Sequence, residues 1–436
     1  MVFVCTKLRT QQLLQPDSTM SRFLLVVATL LGKNRAKTPR RLSKCWADAA
    51  SAAREDTDLL RKMGKIVNTV ECVYVKSLIL EEITKVINSP LFFASYDQRH
   101  AIENMHTCRT AARGGRITQC PKCYTRTVIY NPCNTRGCPI CSARNKILWQ
   151  KKLNKKLLPV SHYHLIFSIP QAFTLTWLRN KKKVAEILFK SASKVIAELR
   201  IQTGLLCGSA LDFQSHGKGM CYKPHIHCIL SDGGINKEGK WEKLGTLRYT
   251  EMANRFRELA YKELLRQIAI ESLPDTKDIH EGEWYIYPEY HRDSGKSIVG
   301  YLGHSACGAV INLKQSFDIT ESAIRFSETH NGKQIETKLE KRTFVERYLN
   351  HIPPSGLVTI RYYGLYSNQH VEELKEIRKE FEVEQEVEEE VILDLCPNCR
   401  TKMFTVVLFP VGTDPEEIEL FCTRGPPRLL PVYNYI

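Results

Sequence analysis

The stretch from Tyr222 to Leu230, YKPHIHCIL, places two histidines one residue apart in an apolar run that ends at Ser-Asp-Gly-Gly. Successive side chains of a β-strand point to opposite faces, so His225 and His227 are predicted to share one face while Ile226 lies on the other. Two neutral imidazoles held side by side could bind one metal ion. The residues alone leave a second interpretation open, in which both are surface histidines of an ordinary strand.

Six cysteines between residues 108 and 141 form the most specific pattern of the chain. Cys120-Pro-Lys-Cys123 and Cys138-Pro-Ile-Cys141 are two C-x2-C pairs separated by fourteen residues, a spacing typical of tetrahedral zinc sites with four thiolates. We therefore predict a structural Zn²⁺ bound by these four cysteines. Cys108 and Cys133 lie in the same stretch and allow other ligand sets or a second metal. The alternative is a group of buried, reduced cysteines without metal.

A third C-x2-C pair lies near the end of the chain. Cys396-Pro-Asn-Cys399, taken with Cys422, is a weaker candidate for a second site, because three cysteines do not complete a tetrahedral set. Paired cysteines in a chain of 436 residues indicate metal binding in a reducing compartment more than a disulfide framework, which is typical of much shorter chains.

Alternating and helical patterns predict the elements that must position these motifs. Apolar residues from Val184 to Leu199 recur at helical spacing, and Gly204 is placed to end that helix. A second helix is predicted from Thr250 to about Ile270. The basic residues between 144 and 156 predict a helical segment that contacts phosphates or simply faces solvent. Strands are predicted at 163–169, 205–213, 225–230 and 357–363.

The composition is that of a globular protein with a basic surface. Hydrophobic residues make up 43% and charged residues 25% of the chain, and the formal net charge is +16, which favours a polyanionic partner such as nucleic acid. The segment 371–394 is the exception, with eleven acidic and three basic residues, and is predicted to be a solvated helix or a linker.

No apolar run reaches the roughly 20 residues that a transmembrane helix needs. The longest, from Phe23 to Leu31, is flanked by basic residues. It is predicted to be a buried helix or a weakly constrained N-terminal segment. A signal-peptide core is the alternative, but no small-residue cleavage site follows it.

Several blocks of the chain together resemble one family. CRTAARGGRITQCPKC with YNPCNTRGCPIC, LLPVSHYHLIFSIP, KPHIHCILSDGG, YLGHSACGAVIN and GLVTIRYYGLYSN occur in the order and spacing seen in the rolling-circle transposases of the IS91 insertion-sequence family. The resemblance runs from about residue 98 to residue 368. It does not extend to residues 1–95, whose role stays unknown.

The resemblance implies an HUH endonuclease, in which two histidines flank a bulky apolar residue on an antiparallel sheet. His225 and His227 would bind Mg²⁺ or Mn²⁺, with Gln214 as a third ligand and His216 as its neighbouring rival. Tyr301 would attack a single-stranded DNA phosphate and form a 5′-phosphotyrosine. Because Ser305 stands where two-tyrosine members have their second tyrosine, a single-tyrosine mechanism is predicted.

These inferences predict an α+β protein: an HUH-like antiparallel sheet with flanking helices, preceded by a small cysteine-rich zinc-binding domain. We expect a transposase that acts in the prokaryotic cytoplasm near the nucleoid, binding the single-stranded ends and target of its element. The alternatives are a rolling-circle replication initiator and a non-catalytic, zinc-dependent DNA-binding derivative. The predicted domains are 1–95 of unknown role, 96–158 binding zinc and DNA, 159–369 catalytic, and 370–436 acidic with a C-terminal C-x2-C tail.

Overall fold

A computed structural model of the chain describes residues 78–275, 277, 282–291, 298–300, 310–311, 315–330, 333–381 and 395–413. The helices with both ends in these residues are α1 (Tyr96–His106), α2 (Pro139–Lys156), α3 (Thr174–Arg179), α4 (Lys181–Thr203), α5 (Tyr249–Gln267), α6 (Lys341–His351) and α7 (Val371–Glu380). Its strands are β1 (Gly115–Gln119), β2 (Arg126–Tyr130), β3 (His162–Ser168), β4 (Leu206–His216), β5 (Tyr222–Ile235), β6 (Trp241–Glu242), β7 (Tyr285–His291), β8 (Phe317–Ile319), β9 (Ala323–His330), β10 (Lys333–Glu340), β11 (Ile360–Gly364) and β12 (Phe404–Phe409).

The strands form three antiparallel sheets within the described ranges. The central sheet has the order β11-β4-β5-β3-β7, and β6 adds to β5. A small sheet has the order β12-β1-β2, and a third has the order β10-β9-β8. Helices and antiparallel sheets therefore mix in the chain, and the predicted α+β class is confirmed.

One face of the central sheet is the main hydrophobic core. Leu165 and Phe167 of β3 and Ile226 of β5 are fully buried there, packed against α4 and α5. Helix α4 buries a continuous apolar stripe and ends at Gly204, whose φ of 74° is left-handed and therefore suits glycine. Burying each large apolar side chain in such a core contributes about 2 kcal/mol before conformational entropy is counted.

The opposite face of the central sheet is partly apolar and partly polar. Its apolar part includes Ala210 and Ile229, which pack under the end of α2, residues 298–299 and α7. Tyr366 is fully buried there, and its ring approaches the Cα of Gly208 so closely that an added Cβ would lie 2.8 Å from it. The polar part of this face carries the histidines of the β3 and β5 strands.

The small sheet joins two regions that are far apart in sequence. β1 and β2 form a hairpin, and β12 pairs with the other edge of β1, with Gly115 opposite Phe409 and Gln119 opposite Phe404. The C-terminal strand thus completes the sheet of the cysteine-rich region.

Most predicted elements match the structure to within a few residues. The strand predicted at 163–169 is β3, and the helix predicted to end at Gly204 is α4. The helical pattern at 144–156 falls within α2, and the acidic segment is helical from Val371 to Glu380. Residues 382–394 and the apolar run from Phe23 to Leu31 lie outside the described residues. None of the helices that the structure describes combines the length and the apolar character that crossing a bilayer needs.

Candidate active site and metal centres

The cysteines meet in two separate groups of four. The first contains Cys108, Cys133, Cys138 and Cys141. The Sγ of Cys141 lies 3.6 Å from that of Cys108 and 3.7 Å from that of Cys133, and Cys138 lies 3.7 Å from Cys108. Four thiolates about 2.3 Å from one tetrahedral zinc ion are roughly 3.8 Å apart. The first cluster therefore has the ligands and the spacing of a structural zinc site.

The first cluster lies among elements of both the cysteine-rich region and the later chain. Cys108 follows α1, and Cys138 immediately precedes α2. The Tyr348 hydroxyl of α6 donates a hydrogen bond to the Gly137 carbonyl at 2.9 Å, and its ring belongs to the same buried cluster as Cys138. A metal here would fix both helices against α6.

The second group contains Cys120, Cys123, Cys396 and Cys399. The Sγ of Cys399 lies 3.4 Å from that of Cys120, and the Sγ of Cys396 lies 3.4 Å from that of Cys123. Cys120 and Cys396 are fully buried, Cys399 is half-buried, and Cys123 is exposed.

The predicted single site of Cys120, Cys123, Cys138 and Cys141 is therefore wrong in its grouping. Cys120 and Cys123 lie at the turn of the β1–β2 hairpin, while Cys138 and Cys141 follow its base. A five-residue strand such as β2 is about 17 Å long, which keeps the two pairs apart. Cys108 and Cys133, predicted as additional ligands, complete the first cluster, and the C-terminal pair completes the second.

Hydrogen bonds already favour the thiolate form at two of these cysteines. The side chain of Thr401, followed by its backbone, lowers the pKa of Cys399 to about 6. The pKa of Cys123 is lowered in the same way by Thr125. Thiolates are the form that binds zinc.

The two histidines of the YKPHIHCIL stretch lie on one face of β5, as predicted, and His164 of β3 joins them. His225 Nε2 lies 2.9 Å from His227 Nε2, and His227 Nδ1 lies 2.8 Å from His164 Nε2. All three rings are buried. At the two ends of this row, His225 Nδ1 donates to the Lys223 carbonyl at 2.6 Å and His164 Nδ1 lies 3.2 Å from Glu289 Oε2.

Burial keeps this row of rings uncharged at neutral pH. It lowers the pKa of His225 to about 4 and places that of His227 well below its usual value. Burial also lowers the pKa of His164, partly offset by Glu289. Burial raises the pKa of Glu289, but the hydrogen bond from His164 and the nearby His291 ring together outweigh it, so the carboxyl pKa lies below its usual range.

The row of three imidazoles has fewer N–H groups than its contacts need. Three neutral imidazoles carry three N–H groups, and the four short polar contacts given above compete for them. The Lys223 carbonyl and the Glu289 carboxylate can only accept, so His225 and His164 each use their single N–H at the ends of the row. His227 can then donate to only one neighbour. At one of its two contacts, two nitrogen lone pairs face each other, and a cation or an added proton must relieve the repulsion.

The spacing of His225 and His227 fits such a cation. Two ligand nitrogens about 2.1 Å from one ion and at a right angle are roughly 3.0 Å apart, and the Nε2 atoms of His225 and His227 are 2.9 Å apart. His225 and His227 can thus supply two adjacent ligands. His164 contacts the far side of the His227 ring, and Glu289 contacts His164 in turn. Metal-binding histidines usually have such a partner on the nitrogen that does not bind the metal.

Two side chains whose oxygen atoms could bind a metal lie opposite these histidines on β4. Gln214 is opposite His225, and Asp212 is opposite His227. The Gln214 amide donates to Asp212 Oδ2 at 3.0 Å, and among the described residues no hydrogen-bond partner is found for the buried Asp212 Oδ1. Burial raises the pKa of Asp212 to about 8, with Gln214 opposing it. His216 is half-buried, and the loss of hydration of its ring lowers its pKa to about 4.

An open cavity of about 270 Å³ extends from this end of β4 towards the cysteine-rich region. Gln214 and His216 lie on one side of it, and Arg136 and Asn145 lie on the other. Lys181 also lines the cavity, and burial lowers its pKa to about 8.

Tyr301, the predicted nucleophile, lies outside the described residues, and so does Ser305. The helical residues 298–300 immediately before Tyr301 are described, and Ile298 and Val299 are buried. The Gln150 amide of α2 donates to the Val299 carbonyl at 3.1 Å and to the Gly300 carbonyl at 3.3 Å. Helix α2, which begins at the first cysteine cluster, therefore contacts the segment that leads into Tyr301.

The sequence interpretation gave no role to His164, Glu289, Asp212 or the pairing of Cys120 with Cys399. A signal for His164 was present, since SHYHLIFS places His162 and His164 on one strand face, as HIH does for β5. In the structure, His162 and His164 have different surroundings. The Tyr366 hydroxyl lies 2.8 Å from His162 Nε2, and the Val160 carbonyl lies 2.8 Å from Nδ1, so that ring is part of the core.

Two family models match the chain in succession. Residues 81–169 match the model described as "Transposase zinc-binding domain", and residues 208–374 match the model described as "Putative transposase". The first range contains the first cysteine cluster and His164, and the second contains His225 and His227. Cys396 and Cys399 lie beyond both.

Two relatives extend the same similarity. The chain is 25% identical over 363 residues to a "Putative transposase y4qJ" of Sinorhizobium fredii, covering 73% of this chain and 91% of that protein. It is 23% identical over 287 residues to the "Transposase for insertion sequence element IS801" of Pseudomonas savastanoi pv. phaseolicola, covering 62% of this chain and 70% of the relative. No solved structure matches the chain.

Proposed function

The chain belongs to the IS91-type transposases, and from that premise we propose that it nicks single-stranded DNA at the His225–His227 pair and mobilises an insertion sequence by rolling-circle strand transfer. The observation that carries the proposal is the row of three neutral, buried imidazoles that is one hydrogen short. A cluster of histidines with only a structural role would gain no stability from two nitrogen lone pairs that face each other. A cation-binding site needs such lone pairs, because they are the atoms that bind the metal.

His225 and His227 are the proposed ligands of Mg²⁺ or Mn²⁺, and β4 would supply an oxygen ligand. Gln214 stays a candidate, and the buried Asp212 is added because its Oδ1 has no hydrogen-bond partner among the described residues. When bound, the ion would polarise the scissile phosphate as a Lewis acid. His164 would orient the His227 ring, and Glu289 would hold the His164 tautomer that makes this orientation possible.

Tyr301 is proposed as the nucleophile, on the strength of the family resemblance. Its phenol oxygen would form a bond to phosphorus as the bond from phosphorus to the 3′ oxygen breaks. The phenol proton would pass, through the site, to the departing 3′ oxygen. The products would be a 5′-phosphotyrosine and a free 3′ hydroxyl, and the conserved bond energy would allow a second strand to be joined without ATP. With Ser305 at the second position, one tyrosine would perform both steps.

The cysteine-rich region would position the DNA strand. Structural zinc is supported by the cysteine clusters and by the match to a transposase zinc-binding domain. Arg136 and Lys181 line the cavity that leads from this region to the end of β4. Cations on such a path would bind the phosphates of a strand that enters the histidine site.

The test uses the full-length protein and labelled single strands from both flanks of the encoding element. We expect a nick at one flank and a protein-linked DNA band in a denaturing gel, both dependent on Mg²⁺ or Mn²⁺ and both absent in Tyr301→Phe. Binding without nicking under all metal conditions would instead indicate a non-catalytic DNA-binding derivative.

A second experiment separates transposition from replication initiation. Cells carrying a marked element and a target plasmid should yield insertions at a short target sequence when the protein is expressed. Replication of a plasmid that carries the nick site, without insertion of the element, would support a replication initiator.

A further inference from the structure

The second cysteine cluster is built from two copies of one short sequence. Cys120-Pro-Lys-Cys123-Tyr-Thr125 and Cys396-Pro-Asn-Cys399-Arg-Thr401 both read C-P-x-C-x-T. The Cys138-Pro-Ile-Cys141 pair lacks the threonine and leads into helix α2 instead.

The two copies also share one backbone conformation. Cys120 N donates to the Thr125 carbonyl at 2.9 Å, and Cys396 N donates to the Thr401 carbonyl at 2.8 Å. The residue after the second cysteine has a positive φ in both, 58° at Tyr124 and 61° at Arg400. A left-handed residue costs free energy when it is not glycine, so its repetition indicates that both turns are held by the same constraint.

Each turn presents its two sulfurs towards the other. Besides the two contacts of 3.4 Å, the Sγ of Cys399 lies 3.5 Å from that of Cys123. The Thr125 hydroxyl lies 3.1 Å from the Cys123 sulfur, the Thr401 hydroxyl lies 3.3 Å from that of Cys399, and the Asn398 amide donates to Thr125 across the two turns at 2.8 Å. Four sulfurs at these separations surround a volume of the size that one tetrahedral ion occupies.

The strands next to the turns bring the C-terminal end of the described chain onto the β1–β2 hairpin. Cys120 follows the last residue of β1, and the C-terminal turn leads into β12, which pairs with β1. Among the described residues, Met403 is the one non-cysteine side chain buried in the hydrophobic cluster at this site. So small an apolar core gives little stability by itself, and a metal is the usual means by which such a small sheet is held together.

We propose that Cys120, Cys123, Cys396 and Cys399 bind a second structural Zn²⁺, which clasps the C-terminal segment to the β1–β2 hairpin. The protein would then hold two zinc ions, one in each cysteine cluster. The C-terminal segment beyond both family matches would be a structural part of the zinc-binding region. The site would be formed only after residues 395–413 have been synthesised, so the region would be complete only in the full chain. Metal binding here does not depend on the nicking chemistry.

The first measurement is the metal content of the full-length protein, purified without chelator. We expect two equivalents of zinc. The double variant Cys396→Ser/Cys399→Ser should retain one, and so should Cys133→Ser, which affects the first cluster only. The matched controls Cys221→Ser and Cys422→Ser should retain two, because neither side chain belongs to the proposed ligand sets.

The second measurement uses the wild-type protein, so that a misfolded variant cannot mimic the result. Cys123 is exposed and Cys399 is half-buried, so their free thiols would react readily with N-ethylmaleimide. We expect both to be protected until a chelator removes one zinc, and then to be alkylated together, as peptide mass spectrometry would show.

Three results would overturn the proposal. One is a single zinc equivalent in the wild-type protein with Cys123 and Cys399 alkylated before chelation. Another is a disulfide-linked pair of peptides that joins residues 120–123 to residues 396–399. The third is bound iron with visible absorption, since four thiolates also suit iron.

Discussion

His164 Nε2 lies 2.8 Å from His227 Nδ1, and the same His164 ring faces Glu289 through its other nitrogen at 3.2 Å. The His164 imidazole therefore connects the Glu289 carboxylate, on the edge strand β7, to the His227 ring of β5. With Glu289 accepting a hydrogen bond, the His164 Nε2 is left as an acceptor. His227 then turns its only N–H towards His164 and its Nε2 lone pair towards His225.

This relationship predicts that His164 and Glu289 control metal affinity without binding the metal. We expect His164→Gln and Glu289→Gln each to weaken Mn²⁺ binding by about 10- to 100-fold, as loss of a hydrogen-bonding partner behind a metal ligand usually does. Electron paramagnetic resonance of free Mn²⁺ would measure the affinity. His100→Ala, an exposed histidine of α1, is the control and should bind normally. If both variants bind Mn²⁺ within twofold of the wild type at an unchanged melting temperature, His164 and Glu289 do not control metal affinity.

Metal binding should also depend on pH through Asp212. Its pKa is raised to about 8 by burial, so the metal-free carboxyl is protonated below that pH, whereas His225, with its pKa lowered to about 4, is not. If Asp212 is a ligand, metal must displace its proton, and affinity should rise by up to tenfold per pH unit from pH 5.5 to about 7.5.

The comparison with Asp212→Asn isolates that dependence. The variant keeps the size of the side chain but has no proton to displace, so its Mn²⁺ affinity should be nearly flat over the same range. Gln214→Ala should weaken binding without changing the slope. An equal slope in the wild type and in Asp212→Asn would exclude Asp212 as the titrating ligand.

The histidine pair was predictable because a strand has a period of two, and HIH on an apolar run can point both rings only one way. The core strands and α4 were predictable for the same reason. An element that buries one face repeats its apolar residues with the period of that strand or helix. The third imidazole, His164, could not be predicted from the sequence, because its position beside His227 depends on which strands are neighbours in the sheet. Alternation puts both His162 and His164 on that face, and only the packing of Tyr366 shows that His162 belongs to the core.

The zinc ligands show a different limit of sequence reasoning. Spacing along the chain favoured pairing Cys120 and Cys123 with the next C-x2-C pair, which follows the base of the same hairpin. In the structure, the sulfurs next to Cys120 and Cys123 belong to cysteines more than 270 residues away. The repeated threonine of C-P-x-C-x-T was the available signal, because it closes the turn in both copies. Local spacing alone does not contain the pairing of β12 with β1.

The small sheet is predicted to contact DNA phosphates. Its residues 115–130 and 395–413 contain five Lys or Arg and no Asp or Glu. Lys122 and Arg400 are exposed at its two turns. We expect Lys122→Ala/Arg400→Ala to weaken single-stranded DNA binding and to reduce the slope of log affinity against log salt by roughly 1.4, if each residue contacts one phosphate. Fluorescence anisotropy at several salt concentrations would measure it.

The matched control removes two lysines from a different surface. Lys375→Ala/Lys379→Ala lies on α7, where both side chains pair with neighbouring glutamates. This variant should bind DNA with the wild-type slope. Unchanged slopes in both variants would show that the small sheet does not contact the strand.

Tyr301→Phe tests the proposed chemistry most directly, because it removes one oxygen and little else. A tyrosine that only packs would lose at most about 1 kcal/mol with its hydroxyl, and nicking would continue. A nucleophile would lose the only attacking atom, so nicking and the covalent band should disappear while DNA affinity, zinc content and melting temperature stay unchanged. Tyr290→Phe is the matched control, since its hydroxyl donates to Asp232 of β5 at 2.6 Å and it should still nick. His225→Ala/His227→Ala should also abolish nicking, but with loss of Mn²⁺ binding, which Tyr301→Phe should retain. Wild-type nicking by Tyr301→Phe would mean that another residue attacks, and the single-tyrosine mechanism would have to be abandoned.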